Sequence, residues 1–254
     1  MSKYFELLLQ AESQSRRRYF AAGVSTGEGT SRKSAPTPPA LESARPTDPL
    51  WEQVAMLVRQ LFLLSTGVRA AVVAGVEPGD GSTWITVQCA RMLAASVQGT
   101  VCLVDGNLRA PALHDCFGVA KTPGLADALT APENIRQFAY QLPQFRNLWL
   151  LPAGSSGGAG AQAAGSEQLI PRITQLRAEF DYLLIDSPPL HLYGDAIMLG
   201  RAADGVALVI AEQGTHRESA RHAVQQLSKA NVRVLGAVLN KRTFPIPKKI
   251  YDKI

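Results

Sequence analysis

The chain has 254 residues, of which 46% are hydrophobic and 19% are charged, and its formal net charge is +5. These proportions exclude a chain that is disordered throughout and are typical of a globular protein with one large or two small domains. No apolar run approaches the roughly 18 residues of a membrane span, and polar residues interrupt the N-terminus MSKYFELLLQAESQ where a signal peptide would be apolar. Composition therefore predicts a cytoplasmic protein without a transmembrane segment.

Two segments precede the candidate domain. Residues 1–21 are predicted to contain an amphipathic helix, because Tyr4, Leu7, Leu8 and Ala11 recur at helical spacing. Residues 22–49 are rich in Gly, Ser, Thr and Pro, which is typical of a flexible linker. The helix could dock on a partner or pack on its own domain, and the sequence does not choose between these two roles.

Residues 50–254 alternate strand-like runs with helical stretches. Each run is nearly continuous in Val, Leu, Ile and Ala, as expected when helices cover both faces of a parallel sheet. The pattern predicts a three-layer α/β/α sandwich with a mainly parallel sheet. A helix is expected over residues 51–64, and strands over residues 70–74, 101–104, 148–151, 182–185, 206–210 and 234–239.

The segment Glu77-Pro-Gly-Asp-Gly-Ser-Thr83 has the outline of a phosphate-binding loop. It lies between the first strand run and a helical stretch over residues 84–97, which is the context that such a loop requires. Gly79 and Gly81 allow the tight turn, and Thr83 offers a hydroxyl to Mg²⁺ at the start of a helix that attracts anions. Ser82 stands where the pattern requires a lysine. An ordinary Gly/Pro surface turn is the alternative.

An aspartate directly follows each of two other strand runs. Asp105 follows the run at 101–104, and Asp186 follows the run at 182–185 within Asp186-Ser-Pro-Pro189. Because ligand sites of parallel sheets form at the carboxyl ends of the strands, these carboxylates are candidates for holding Mg²⁺ beside the loop. The alternative is that each aspartate only caps a turn.

The cysteines and the basic clusters carry less information. Three cysteines without C-x-x-C spacing are expected to be buried free thiols, namely Cys89, Cys102 and Cys116. Basic residues near the start, Arg16 to Arg18, are interpreted as solvated, and the role of the basic tail is left open. The tail contains Lys241, Arg242, Lys248, Lys249 and Lys253. Without interleaved aromatic residues, neither cluster indicates a nucleic-acid surface.

With these motifs identified, about residues 50 to 250 resemble the bacterial tyrosine kinases of capsule and exopolysaccharide synthesis, which are similar to the MinD/ParA group of P-loop ATPases. The family's Walker A pattern P-G-E-G-K-S/T lies over Pro78-Gly-Asp-Gly-Ser-Thr83. Its D-x-D-x-R motif lies over Asp105-Gly-Asn-Leu-Arg109, and its Walker B pattern over Leu183-Leu-Ile-Asp-Ser-Pro-Pro189. The resemblance implies a P-loop NTPase fold with a deviant, degenerate Walker A motif.

The resemblance also implies ATP or ADP and Mg²⁺ as cofactors and assigns roles to individual residues. Asp105 and Asp186 are the implied catalytic residues, and Thr83, Asp105 and Asp186 are implied to hold Mg²⁺, the aspartates through water. The implied nucleotide-binding residues are Pro78, Gly79, Asp80, Gly81, Ser82, Thr83, Trp84, Arg109 and Asn240.

The chain departs from the family pattern at positions that matter for chemistry. Ser82 replaces the lysine, and Asn107 replaces the second aspartate of D-x-D. The tail offers only Tyr251 instead of a run of tyrosines, and Ala55 and Val58 occupy the arginine positions of the E-x-x-R-x-x-R ring-assembly motif. Phosphotransfer is therefore expected to be weak or lost, and a homo-oligomer remains possible.

Three functions remain open from the sequence. The first is a nucleotide-binding relative of these kinases that docks on a membrane-embedded polysaccharide co-polymerase and is recruited to the inner face of the plasma membrane. The second is an active tyrosine kinase whose missing cation comes from elsewhere in the molecule. The third, which the sequence favours least, is a MinD/ParA-like positioning ATPase.

Overall fold

The computed structural model describes residues 49–64, 67–119, 123–154 and 167–241. Most of the predicted N-terminal segments, residues 1–21 and 22–49, and the tail with Tyr251 lie outside the described residues. Within the described part of the chain, no helix is both long and apolar enough to cross a membrane.

Helices and strands alternate along the chain. The first helix, α1, covers Pro49–Val58 and continues as a π-helical turn over Arg59–Leu63, and a short 3₁₀ helix covers Ile135–Phe138. The strands are β1 (Ala70–Gly75), β2 (Val101–Asp105), β3 (Tyr140–Gln141), β4 (Leu148–Leu151), β5 (Tyr182–Ser187), β6 (Val206–Ala211) and β7 (Val234–Asn240). The other helices are α2 (Ser82–Ser96), α3 (Leu113–Phe117), α4 (Leu125–Ala128), α5 (Leu169–Glu179), α6 (Asp195–Ala202) and α7 (Arg217–Lys229).

The described strands form one seven-stranded sheet in the order β3-β4-β2-β5-β1-β6-β7. Every neighbouring pair is parallel except β3 with β4. β5 lies between β1 and β2, and its register places Asp186 opposite both Val73 of β1 and Asp105 of β2. The predicted mainly parallel sheet is confirmed.

Two apolar clusters, one on each face of the sheet, form the core. Successive residues of a strand point to opposite faces, and in β1 Ala71 and Val73 pack with α1 and α2, whereas Val72 and Ala74 pack with α5, α6 and α7. The clusters make the sheet the middle of three layers, as predicted. Packing on both faces holds the sheet in place, and the loop after β1 begins at the carboxyl end of that sheet.

Two details of the fold were not predicted. β3 has only two residues and runs antiparallel, so it is too short to give a periodic signal in the sequence. Helix α1 begins at Pro49, two residues earlier than expected, since proline is well suited to a first helical turn.

The cysteines differ in exposure. All three are free thiols, and Cys89 and Cys102 are buried as predicted. Burial raises the pKa of the Cys89 thiol to about 12. The prediction of burial is wrong for Cys116, which is exposed because the short helix α3 directs its neighbours Leu113 and Phe117 into the core instead.

Substitution of a core leucine in the central strand should destabilise the fold. Leu184 of β5 is fully buried, so Leu184→Ala is expected to lower the free energy of unfolding by about 2–5 kcal/mol through lost burial and a residual cavity. Urea unfolding measures the change. The matched control is Leu64→Ala, whose side chain is 75% exposed and whose effect should stay within about 0.5 kcal/mol. Equal effects of the two substitutions would contradict the packing described.

Candidate nucleotide site

The candidate site lies at the carboxyl end of the sheet, where the parallel strands end together. β1 ends at Gly75, β2 at Asp105, β5 at Ser187 and β7 at Asn240. Residues 76–81 leave β1 and lead into α2. The carboxyl ends of parallel strands are where this class of sheet forms ligand sites.

The loop after β1 has the backbone of an anion cradle. Gly79 and Gly81 adopt φ values of 83° and 90°, a left-handed conformation that glycine tolerates better than other residues. Helix α2 begins at Ser82, with Gly81 as its N-cap. The first N–H groups of a helix have no acceptor within it, so those of Ser82, Thr83 and Trp84 are suited to an anion.

Asp80 fixes the shape of this loop. The buried carboxylate accepts the N–H of Glu77 at 2.8 Å and the hydroxyl of Thr215 at 2.8 Å. Asn240 at the end of β7 donates from Nδ2 to the Asp80 carbonyl at 2.8 Å. The loop is therefore held from within, from the segment after β6 and from β7. The predicted nucleotide contacts of Asp80 and Asn240 stay predictions beside this positioning role.

A hydroxyl and a carboxylate meet beneath the loop. Thr83 Oγ1 donates to Asp186 Oδ2 at 2.7 Å. Thr86, one turn further along α2, donates to the Ser82 carbonyl at 2.8 Å and has a longer contact of 3.4 Å with Asp186 Oδ1. The first turns of α2 are thereby joined to the central strand, and the predicted contact of the Thr83 hydroxyl with Mg²⁺ stays a prediction.

Asp105 lies beside Asp186 in the parallel register of β2 and β5. Its Oδ2 accepts the N–H groups of Ala112 at 3.2 Å and Leu113 at 3.1 Å. Its Oδ1 is buried and has no hydrogen-bond partner among the described residues. A buried acceptor without a partner is costly, and its presence beside a second carboxylate points to a cation.

Burial changes the acidity of both carboxyl groups. It raises the pKa of Asp105 to about 6 and is the largest cause of the rise of the Asp186 pKa to about 8. The Thr83 hydrogen bond lowers the Asp186 pKa, whereas the negative charge of Asp105 raises it further. A bound divalent cation would instead favour the ionised form of both groups.

Thr83, Asp105 and Asp186 fit Mg²⁺. This ion takes hard oxygen ligands, uses one or two carboxylates and keeps water or phosphate oxygens in its other positions. In the described part of the chain, no group of three or more His, Cys, Asp or Glu side chains forms a cage for a metal. At a site of one hydroxyl and two carboxylates, phosphate and water oxygens would take the remaining positions of the ion.

Two residues that were predicted to contact the nucleotide, Arg109 and Trp84, contact other parts of the protein in this structure. Arg109 forms a bidentate ion pair with Asp195 of α6, at 2.6 and 3.1 Å, and its guanidinium carbon lies 4.2 Å from the centre of the Tyr193 ring. Trp84 in α2 is half-buried and packs against the apolar cluster that α1 and α2 form with the sheet. Their roles toward a nucleotide stay predictions. Asn107, at the altered D-x-D position, accepts the Ala110 N–H at 3.1 Å and closes a turn.

Sequence reasoning missed two residues that bind the loop. Thr215 lies after β6 and holds Asp80, as described above. Lys241 follows β7, and its ammonium donates to the Gly79 carbonyl. Lys241 was grouped with the basic tail, although its position directly after a strand was the signal that had identified Asp105 and Asp186.

The sheet order, the loop after β1 and the Thr83–Asp186 pair together define a P-loop NTPase of the MinD-like α/β type. Within this class, the chain belongs to the family of the cellulose biosynthesis protein BcsQ, whose family model matches residues 68–234. The match runs from just before β1 to the start of β7, so it contains the whole loop and both aspartates.

Relatives of known name include the tyrosine-protein kinase YwqD of Bacillus subtilis, which is 29% identical over 68% of this chain and 72% of its own length. The succinoglycan biosynthesis transport protein ExoP of Rhizobium meliloti is 30% identical over 74% of this chain. This chain spans only 24% of ExoP. The predicted kinship with tyrosine kinases of polysaccharide synthesis is confirmed.

Solved structures agree with the fold. The kinase domain of VpsO is 26% identical with a TM-score of 0.67, and the similarity covers 75% of this chain and 94% of that one. MinD from Pyrococcus horikoshii, solved with Mg-ADP, is 24% identical with a TM-score of 0.60 over 73% of this chain and 76% of its own. The likeness to MinD establishes the P-loop fold, and its ligand belongs to that protein.

The buried carboxylates should make stability depend on pH. An aspartate in an unfolded chain has a pKa of about 3.9, whereas those of Asp105 and Asp186 in the fold are about 6 and about 8. The folded state therefore binds more protons than the unfolded state between about pH 4 and about pH 8. The free energy of unfolding should fall as pH rises through this window.

The variant Asp186→Asn isolates the larger contribution. Its free energy of unfolding, measured by urea from about pH 5 to about pH 9, should fall less than that of the wild type, with the remaining decrease near pH 6 from Asp105. The control Glu52→Gln removes an exposed carboxylate near the start of α1 and should keep the wild-type pH profile. Parallel profiles for wild type and Asp186→Asn would contradict the proposed burial of this charge.

Proposed function

We propose that this protein binds MgADP and MgATP at the loop after β1 and acts in exopolysaccharide synthesis and export as a relative of the tyrosine kinases with weak or lost phosphotransfer. The observation that carries this proposal is the Thr83–Asp186 hydrogen bond beneath a loop whose lysine position is Ser82. The proposal is supported because groups that could hold nucleotide and Mg²⁺ lie together beneath the loop, whereas the lysine position of the loop carries no charge.

Binding and transfer place different demands on such a site. Loop N–H groups, the α2 terminus and a metal held by Thr83 and Asp186 suffice to retain a nucleotide. Transfer also requires preorganised positive charge at the moving phosphoryl group, and loss of one such donor typically lowers the rate about 10²–10³-fold. Asn107 adds to the loss, because its amide is engaged in the turn to Ala110.

The biological setting follows from the family. Its model is that of a cellulose biosynthesis protein, and one relative is a succinoglycan biosynthesis transport protein. The partner we propose is a membrane-embedded polysaccharide co-polymerase that recruits the domain to the inner face of the plasma membrane. Residues 1–21 would dock on it through the linker of residues 22–49, and a tether of this kind raises the effective concentration of the domain at its partner.

Removal of residues 1–48 tests the docking role. The truncated protein is expected to unfold in urea like the full chain and to pellet less with membranes that contain the co-polymerase. Full-length and truncated protein are compared on membranes with and without it. Unchanged pelleting would reject docking by this segment, and loss of folded protein would show that the segment instead packs on the domain.

Calorimetric titration tests nucleotide binding directly. Wild type is expected to bind MgADP, and Thr83→Val should weaken this binding about tenfold or more, because the variant loses a metal ligand at nearly constant volume. Thr174→Val, which removes a hydroxyl bonded within α5, is the matched control and should bind normally. A wild type without measurable MgADP binding would reject the proposal.

The variant Ser82→Lys separates binding from transfer. It should bind MgATP more tightly and transfer phosphate to protein tyrosine faster than the wild type, by up to about 10²-fold, because the lysine restores charge at the phosphates. Phosphate incorporation from labelled ATP measures the rate, with Asp186→Ala as the inactive reference. Wild-type incorporation that equals that of Ser82→Lys and disappears in Asp186→Ala would favour an active kinase instead.

A further inference from the structure

Two consecutive residues at the end of β7 hold two consecutive carbonyls of the phosphate loop. Asn240 is fully buried and donates to the Asp80 carbonyl, and Lys241 donates from its ammonium to the Gly79 carbonyl. Lys241 has a φ of 58°, a left-handed conformation that is uncommon outside glycine. The chain thus turns sharply at the point where this lysine meets the loop.

The loop itself carries negative rather than positive charge. The Asp80 carboxylate is buried within it, and the Glu77 side chain is only 17% exposed at its start. Ser82 contributes no charge. A polyphosphate in this loop would therefore approach two carboxylates with no lysine of the loop to offset them, which disfavours an anion.

Arg109 and His191, which also lie near the carboxyl ends of the strands, each have a carboxylate partner. Arg109 is paired with Asp195 and lies over the Tyr193 ring. His191, which follows the Asp-Ser-Pro-Pro segment, lies 3.8 Å from the Glu77 carboxylate. Lys241 differs from both, because its ammonium already contacts the backbone of the loop.

We propose that Lys241 supplies the phosphate loop with the positive charge that Ser82 lacks. A lysine side chain is a flexible point charge with three donors, so its ammonium can stay at the loop and turn from the Gly79 carbonyl toward a phosphate oxygen. Lys241 is then a phosphate-binding residue contributed from β7 rather than from the loop. This inference rests on the proposed nucleotide binding.

A double-mutant cycle tests the inference. The dissociation constant for MgADP is measured by calorimetry in wild type, Lys241→Met, Ser82→Lys and the double variant. If Lys241 compensates for Ser82, Lys241→Met should weaken binding about tenfold in the wild-type background and less than about threefold once Ser82→Lys has restored the loop lysine. The wild-type effect should shrink at high salt, since it is electrostatic.

Two controls separate charge from folding. Lys241→Arg keeps the positive charge and the donor and should bind MgADP within about threefold of wild type. Lys229→Met makes the same change of net charge at an exposed position at the end of α7 and should have no effect. Urea unfolding of every variant establishes that the fold is intact.

The opposing outcomes are distinct. Equal weakening by Lys241→Met in both backgrounds would overturn the inference, because Lys241 would then only brace the Gly79 carbonyl. Failure of Lys241→Arg to retain binding would overturn it as well. If folded wild type binds no MgADP, the proposed function itself fails, and the role of Lys241 fails with it.

Discussion

The burial of two carboxylates side by side is the constraint on which this site depends. Asp105 and Asp186 lie at the carboxyl ends of neighbouring strands in the middle of the sheet, and both are fully buried. Two such groups cannot both ionise at low cost in a poorly solvated place. Burial is the largest cause of the raised pKa of each carboxyl group. A divalent cation bound between them would offset the charge of both groups.

The phosphate loop is preorganised by a different set of contacts. Asp80 binds the loop to itself through Glu77 and to β6 through Thr215, and Asn240 binds it to β7. These bonds form a frame around the Gly79 and Gly81 turns. A frame that needs no reorganisation favours binding, even where the loop has lost the charge that accelerates transfer.

Whether a feature can be predicted from the sequence depends on how far apart along the chain the interacting residues lie. The strand-end rule identified Asp105 and Asp186, because an apolar run followed by aspartate is a local signal. The fold followed from the same runs, read as strands buried on both faces. By contrast, the contact between Asn240 and Asp80 joins residues 160 positions apart. No local pattern reveals that the Asp80 carboxylate faces Thr215 and that Arg109 faces Asp195.

The absence of a lysine from the loop would also change how strongly the binding of nucleotide and the binding of metal depend on each other. In a loop with a lysine, fixed positive charge offsets part of the phosphate charge before any metal binds. Here Glu77 and Asp80 add negative charge at the loop, and Asp105 and Asp186 add more beneath it. A divalent cation would offset negative charge that disfavours a polyphosphate, and the phosphate oxygens would in turn complete the coordination of that cation. Their binding should be strongly coupled, since each stabilises the protein in the form that the other requires.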